Sequence, residues 1–293
     1  MKRVFIVNPI AGNGKALKIS KVLEIVCQTE KIQHEIIYTT GPGNATAIAR
    51  EKSLNNDEII IYSVGGDGTL NEVLNGIIDS NAILGVIPGG SGNDFYKMIK
   101  INSYLCNKID VGKVNERYFI NIASLGLDAK IAKRANNIKS KYLPNFLIYY
   151  LSIFGELINL DNIEIKIDNQ TVKEKVMLLS ICNGSYYGGG IKIAPSAIID
   201  DGLFEIYKGS KVNRLQTLKL LIMLLKGKHE KSKFVEYWRT NGITVESSIP
   251  IICNVDGEII EDKKFNFEII ENGINLLSAD HPKIMELHKK GFK

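Results

Sequence analysis

The rhythm of roughly the first ninety residues limits this chain more than any other feature. Continuous apolar runs rich in β-branched residues alternate there with amphipathic stretches of helical length. "RVFIVNP" stops at Asn8-Pro9, as a strand buried on both faces would. "GKALKISKVLEIVCQTE" follows, with Leu17, Val22, Ile25 and Val26 at helical spacing. "HEIIYTT", "NATAIAREKSL", "DEIIIYSVGG", "GTLNEVLNGIIDS" and "AILGVIPGG" then repeat strand and helix in turn. Strands joined through helices imply right-handed crossovers and a parallel sheet. Ligands of such sheets sit beyond the carboxyl ends of the strands. The glycine-rich segments 8–14, 65–68 and 89–92 all fall at that edge.

From about residue 115 the pattern changes to short strands with turn chemistry between them: "RYFINIASLG", "IEIKIDN", "VMLLSICNG", "GLFEIYKG", "GITVESS", "PIICNVDGEII" and "FNFEII". That predicts an antiparallel, sandwich-like second domain. The expected fold class is α/β, an N-terminal parallel-sheet domain followed by a C-terminal antiparallel β-sandwich domain. A chain of 293 residues, 45% hydrophobic and 24% charged, has material for both cores. Two strongly apolar stretches, 142–160 and 214–231, interrupt the second domain. The first carries Pro144, Asn145 and Glu156, and the second is too short to span a bilayer. Core helices account for both, with membrane-surface contact as the alternative. "HPKIMELHKK" predicts a short final helix.

A net charge of +5 is too mild to indicate nucleic acid, and it suits anionic ligands or an anionic membrane surface. Cys27, Cys106, Cys182 and Cys253 lie far apart with no metal-ligand spacing, and are expected as buried or free thiols in a reducing compartment. The N-terminus lacks the length and cleavage site of a signal peptide, so a cytoplasmic location is expected.

Common phosphate motifs are absent. "NPIAGNGKA" has Ala16 where a P-loop needs Ser or Thr, no GxGxxG follows a strand, and the HRD and DFG elements of protein kinases are missing. Three strand-end loops nevertheless supply glycine amides at one sheet edge, and "GGDGT" leads into a helix N-terminus. Amides and a helix dipole there favour a polyphosphate, most naturally a nucleotide. Asp67 and Asp94 sit in two of these loops and would repel phosphates unless a cation intervened, which Mg²⁺ does with few carboxylates. By spacing alone Asp110 is equally a turn or capping residue. In "NVDGEII", Asp256 and Glu258 flank Gly257. This is either a hairpin turn or the general base of a phosphoryl transfer. Asp200 and Asp201 before Gly202 similarly form a turn or bind a structural cation.

Together the segments resemble the catalytic domain of the diacylglycerol kinase family, in particular its soluble bacterial lipid kinases. The likeness runs in order through "NPIAGNGK", "TTGPGNA", "GGDGTLNEVLNG", "IPGGSGNDF", "IDVGKVNERYFINIASLG", "NGSYYGGGIKIAPSAIIDDGLFEI" and "VDGE". "GGDGT" is shared with NAD kinases, whereas the glycine-rich 184–206 segment and the late "DGE" are more specific to the lipid branch. The resemblance implies a nucleotide-binding domain over 1–120 and a lipid-substrate domain over 121–280. The active site would lie in the cleft between them, and helix 281–293 would return to the first domain. It implies that Asn8, Pro9, Ile10, Ala11, Gly12 and Thr40 line an ATP site. Gly66, Asp67, Gly68, Thr69, Leu70, Asn71 and Glu72 would cradle phosphates with Ser91 beside them, although the family often has Gly-Thr at that last position. Asp67, Asp94 and Asp110 would form the acid network of the catalytic Mg²⁺. Glu258 would accept the hydroxyl proton with Asp256 in support, and Asp201 with the carbonyls of Ile198 and Leu203 would hold a structural Mg²⁺. The implied reaction is ATP-dependent phosphorylation of a lipid hydroxyl, most naturally diacylglycerol to phosphatidic acid. The lipid partner would be met at the inner face of the cell membrane, and an exposed sandwich edge would suit a homodimer. The alternatives are an NAD kinase-like enzyme and a nucleotide or lipid sensor without catalysis.

Overall fold

The computed structural model describes residues 1–54, 59–102, 108–127, 129–131, 162–168, 170–210 and 212–290, so the apolar stretch 142–160 and Cys106 lie outside it. The chain divides into two compact units, Met1–Val111 with Glu271–Lys293, and Gly112–Ile270.

The first unit alternates β1 (Lys2–Val7), α1 (Ala11–Thr29), β2 (His34–Tyr38), α2 (Asn44–Ser53), β3 (Ile59–Gly65), α3 (Asp67–Ile77), β4 (Ile83–Pro88) and α4 (Asp94–Asn102). The strands lie in the order β2-β1-β3-β4, all parallel, with Val4 opposite Glu35 on one side and Ile61 on the other. Every residue of β3 is buried, which is why its sequence is a continuous apolar run rather than an alternating one. Phe5, Ile19, Leu23, Tyr62 and Ile87 pack into one core with Cys27. Burial pushes the Cys27 thiol up to about 11, so it is a packing residue and not a nucleophile at neutral pH.

Strand β5 (Lys108–Val114) carries the chain into the second unit, which continues with β6 (Arg117–Phe119), β7 (Ile122–Gly126), β8 (Ile163–Ile167), β9 (Glu174–Cys182), β10 (Tyr186–Tyr187), β11 (Ile191–Lys192) and β12 (Phe204–Ser210). Helix α5 (Arg214–Leu225), β13 (Val235–Thr240), β14 (Gly242–Val255) and β15 (Glu258–Leu276) complete it. The antiparallel order is β13-β12-β9-β7-β14-β15, with β8 pairing both β9 and β14. Its core gathers Phe119, Leu179, Phe204, Val245, Cys253 and Phe265. Two expectations needed adjustment. "RYFINIASLG" breaks into β6 and β7 at Ile120–Asn121, and "GITVESS" and "PIICNV" are one strand with a register shift between Glu246 and Ile251.

The end of β15 returns to the first unit, where Asn275 and Leu276 pair in parallel with Ile83 and Leu84. Helix α6 (Pro282–Lys290) follows and places Ile284 in the core of β1, α1 and β3. Just before it, the buried Asp280 carboxylate accepts from Arg3 Nε at 2.9 Å and from the Tyr62 hydroxyl.

Candidate active site

Three loops meet beyond the carboxyl ends of β1, β3 and β4, and backbone contact is what brings them together. The amides of Gly89 and Gly90 both donate to the Gly65 carbonyl, at 2.7 and 2.9 Å, and the Asn8 amide donates to Val64 at 3.0 Å. A Cβ on Gly12 would stand 2.2 Å from the Gly89 carbonyl oxygen, and one on Gly90 would stand 2.4 Å from the Gly66 Cα. No other residue fits either position without moving backbone. Gly12, Asn13 and Gly14 have φ of 58°, 56° and 84°, so α1 begins with a left-handed loop rather than a regular turn. Asn8 Nδ2 reaches Thr69 Oγ1 at 3.2 Å and ties the first loop to the head of α3.

Helix α3 starts from extended Gly66, with Asp67 in its first turn. First-turn amides of a helix have no acceptor within it, and the helix dipole is positive there. Gly68 is exposed, with open space where a side chain would be. Leu70 and Asn71 are buried, and the Leu70 amide already donates to Gly66 at 3.0 Å, so these two lie beneath the loop rather than on it. Glu72 also turns away: its carboxylate accepts from the Ala45 amide at 3.0 Å, at the N-terminus of α2. Thr40 donates through its amide and hydroxyl to Asn44 Oδ1, at 3.0 and 3.3 Å. Thr40, Ile10 and Ser91 are exposed, and Pro9 and Ala11 are partly so.

The structure brings Asp67 and Asp94 together. Asp67 Oδ1 accepts from the amides of Asp94 at 2.7 Å and Phe95 at 3.3 Å, so its carboxylate caps α4. Asp94 is buried and its Oδ1 lies 3.1 Å from Lys97 Nζ. Asp110 is also buried, and its Oδ1 accepts from the Asn272 amide at 2.8 Å, where Asn272 turns left-handed at φ 53°. Among the described residues no three Asp, Glu, His or Cys side chains gather into a metal cage. Hard carboxylate oxygens beside a helix start do fit Mg²⁺ of the kind that arrives with a nucleotide, held by one or two carboxylates, phosphate oxygens and water.

In the second unit Asp256 and Gly257 form the two-residue link between β14 and β15, with φ of 50° and 96°. This is the hairpin geometry that Asp-Gly favours. The Asp256 carboxylate does more than turn the chain: it accepts from the amides of Ile120 at 2.8 Å, Asn121 at 3.1 Å and Ile122 at 2.9 Å. Those amides are thereby drawn out of the strand ladder, which explains the break between β6 and β7. Glu258, half-exposed at the start of β15, pairs with Arg117 of β6. Sequence reasoning missed Arg117, Asn121 and Asn183. Arg117 orients the Glu258 carboxylate, and Asn183 Nδ2 donates to the Ile120 carbonyl at 2.9 Å. Asn121 is buried beside them with its Oδ1 unpaired. A polar "RYFIN" run in an otherwise apolar strand was the only available signal.

Asp201 accepts from the Leu203 amide at 3.1 Å across left-handed Gly202 and pairs with Arg239, while Ile198 is exposed. Arg239 Nε is also 3.0 Å from the buried Glu205. The guanidinium supplies the positive charge at this turn, and a cation there would compete with it.

A parallel sheet whose carboxyl-end loops cluster glycine amides is followed by an antiparallel unit bearing its own clasped carboxylates. Residues 2–117 match the family model described as the diacylglycerol kinase catalytic domain. Residues 121–278 match the model described as the YegS C-terminal NAD kinase beta sandwich-like domain. The diacylglycerol kinase of Bacillus subtilis (strain 168) is 32% identical over 88% of this chain and 90% of its own length. That of Staphylococcus carnosus (strain TM300) is 28% identical over 96% of both. A crystal structure from Bacillus anthracis str. Sterne, 25% identical, superposes with a TM-score of 0.77 over 96% of this chain and 95% of that one. The chain belongs to the diacylglycerol kinase family.

Proposed function

We propose that this lipid kinase uses ATP and Mg²⁺ to convert diacylglycerol to phosphatidic acid. The functional division we propose is a nucleotide-binding domain over 1–120 and a lipid-substrate domain over 121–280, with the active site in the cleft between them. The observation that carries the nucleotide half is the convergence of the 8–14, 65–69 and 89–94 loops, where glycine backbones touch and amides cluster at a helix start. Family membership supports the acceptor half.

In this mechanism the loop amides and the head of α3 hold the triphosphate and spread the charge of its γ-phosphoryl group. Mg²⁺, when bound, would neutralise phosphate oxygens. Asp67 would hold that ion's side of the site while keeping α4 in place, with Asp94 and Asp110 supporting it from the buried side. Glu258, oriented by Arg117, accepts the proton of the lipid hydroxyl. The acceptor oxygen forms its bond to the γ-phosphorus as the bond to the β–γ bridging oxygen breaks, and ADP leaves. Asp256 holds the hairpin that presents Glu258. A structural Mg²⁺ on Asp201, Ile198 and Leu203 would require Arg239 to move, and a Mg²⁺-dependent rise in melting temperature lost in Asp201→Ala would support it. The proposed location is cytoplasmic, peripheral at the inner membrane face. Among the described residues no helix is long and apolar enough to cross a membrane. Strand β13 ends the sheet order and offers an edge for a homodimer, which sedimentation equilibrium reads directly.

The deciding experiment is transfer of label from γ-labelled ATP with Mg²⁺ to diacylglycerol in mixed micelles, with other lipids and NAD in parallel. Label in phosphatidic acid supports the assignment. Label only in NADP moves it to an NAD kinase-like enzyme, and ATP binding with no product on any acceptor leaves a sensor.

A further inference from the structure

Helix α5 is apolar on two sides, and among the described residues only one of them is covered. Thr217 and Leu220 are buried, and with Leu221, Leu224, Met177 and Tyr207 they line an apolar cavity of about 100 Å³. On the other side Leu215, Leu218, Ile222 and Leu225 are 80%, 40%, 46% and 49% exposed. At 100° per residue those four fall within about 80° of the helix circumference, a continuous stripe. A helix that is hydrophobic all round is ordinarily buried all round, so the stripe calls for an occupant.

Charge indicates which occupant. From Lys211 to Lys233 the sequence carries six lysines and Arg214 against one acid, Glu230. That acid is occupied, since Glu230 Oε1 accepts the Tyr207 hydroxyl at 2.7 Å. Lys219 and Lys226 are exposed and lie along one edge of the stripe, and Lys228, Lys231 and Lys233 are exposed just beyond the helix. A second copy packed on this face by two-fold symmetry would bring the same cations against one another. Lipid headgroup phosphates would instead meet them.

We propose that the outer face of α5 docks on an anionic lipid bilayer. The helix lies in the plane of the surface, with the Leu215, Leu218, Ile222 and Leu225 side chains among the acyl chain ends nearest the headgroups and Lys219 and Lys226 on the phosphates. Such an in-plane helix is held by apolar area and by cations together. The inference goes beyond the proposed reaction and does not depend on which hydroxyl is phosphorylated.

Flotation of the full chain with vesicles, in the absence of nucleotide, tests it. Phosphatidylcholine vesicles with phosphatidylglycerol should bind the protein, salt should weaken binding, and phosphatidylcholine alone should bind little. Leu218→Ser with Ile222→Ser should lower the bound fraction on the order of tenfold. Lys219→Gln with Lys226→Gln, which leaves all packing intact, should weaken binding to the anionic vesicles only. Thermal melts of both variants should match the wild type. Equal binding by wild type and variants, or wild-type binding to neutral vesicles as strong as to anionic ones, overturns the proposal. So does dissociation of a dimer by the stripe variant, which would assign the face to a second copy. Kinase activity on a dispersed short-chain diacylglycerol is read separately, so its absence would count against the reaction and not against the docking face.

Discussion

Asp67 and Asp256 show how much one carboxylate can be asked to do. Asp67 both opens α3 after the glycine-rich loop of β3 and caps α4 through two amides. Asp67→Asn keeps an oxygen for those amides and removes the charge. The expected outcome is a melting temperature close to wild type with kcat lowered by a factor of about 10² or more. Wild-type turnover would remove Asp67 from the metal site. In the hairpin the two neighbouring acids should separate cleanly. Asp256→Ala strands three backbone amides and should cost about 3 kcal/mol in urea unfolding. Glu258→Gln should leave stability within about 0.5 kcal/mol, because its pair with Arg117 is half-exposed, yet reduce kcat by a factor of about 10² or more. Equal loss of stability in both variants would mean that Glu258 is structural too.

At the scale of elements, the glycine loops carry a prediction that packing alone decides. Gly12→Ala puts a methyl group against the Gly89 carbonyl from a left-handed position and should destabilise the first unit by about 3 kcal/mol, read by urea unfolding, while weakening ATP binding. Beside α5, burial holds the His229 imidazole below its ordinary 6.5, outweighing the hydrogen bond with the Ile193 carbonyl that favours its charge. The unfolded chain therefore takes up the proton first. Its contribution to stability is complete above about pH 6.5 and falls as the pH drops below that value. His229→Gln should flatten the stability of the protein between about pH 7 and 5, measured by urea melts at stepped pH. The parallel strands were legible because burial on both faces leaves continuous apolar runs, as in β3. The long β14 was not, since Ser247, Ser248 and Pro250 look like a turn where the strand only shifts register. Helix α5 was legible as a helix but not as half-covered, because a leucine-rich run looks alike on both faces.

At the scale of the whole molecule, sequence could place the amide-rich loops at one sheet edge but not the contacts that join distant segments. Nothing in "MKRVF" announces that Arg3 belongs with Asp280, or that Arg117 belongs with Glu258. Asp280 has a measurable signature. Burial would raise its carboxyl, but hydrogen bonds from Arg3, Tyr62 and the His281 amide reverse this and hold it below the ordinary 3.8. Its stabilisation is present above that value and is lost as the pH falls through the lower, folded one. Asp280→Asn should cost about 3 kcal/mol at neutral pH, with a gap from wild type that closes in acid below about pH 4. A gap constant with pH would mean that the charge contributes nothing.

The first unit is written at both ends of the chain, with the second unit as one uninterrupted run between them. During translation, residues 112–270 can finish folding while the Arg3 and Tyr62 partners of Asp280 are still waiting and the place of Ile284 in the core is empty. The first unit is thus the earlier to emerge from the ribosome and the later to mature, because the strand end and helix that complete it follow the second unit in sequence.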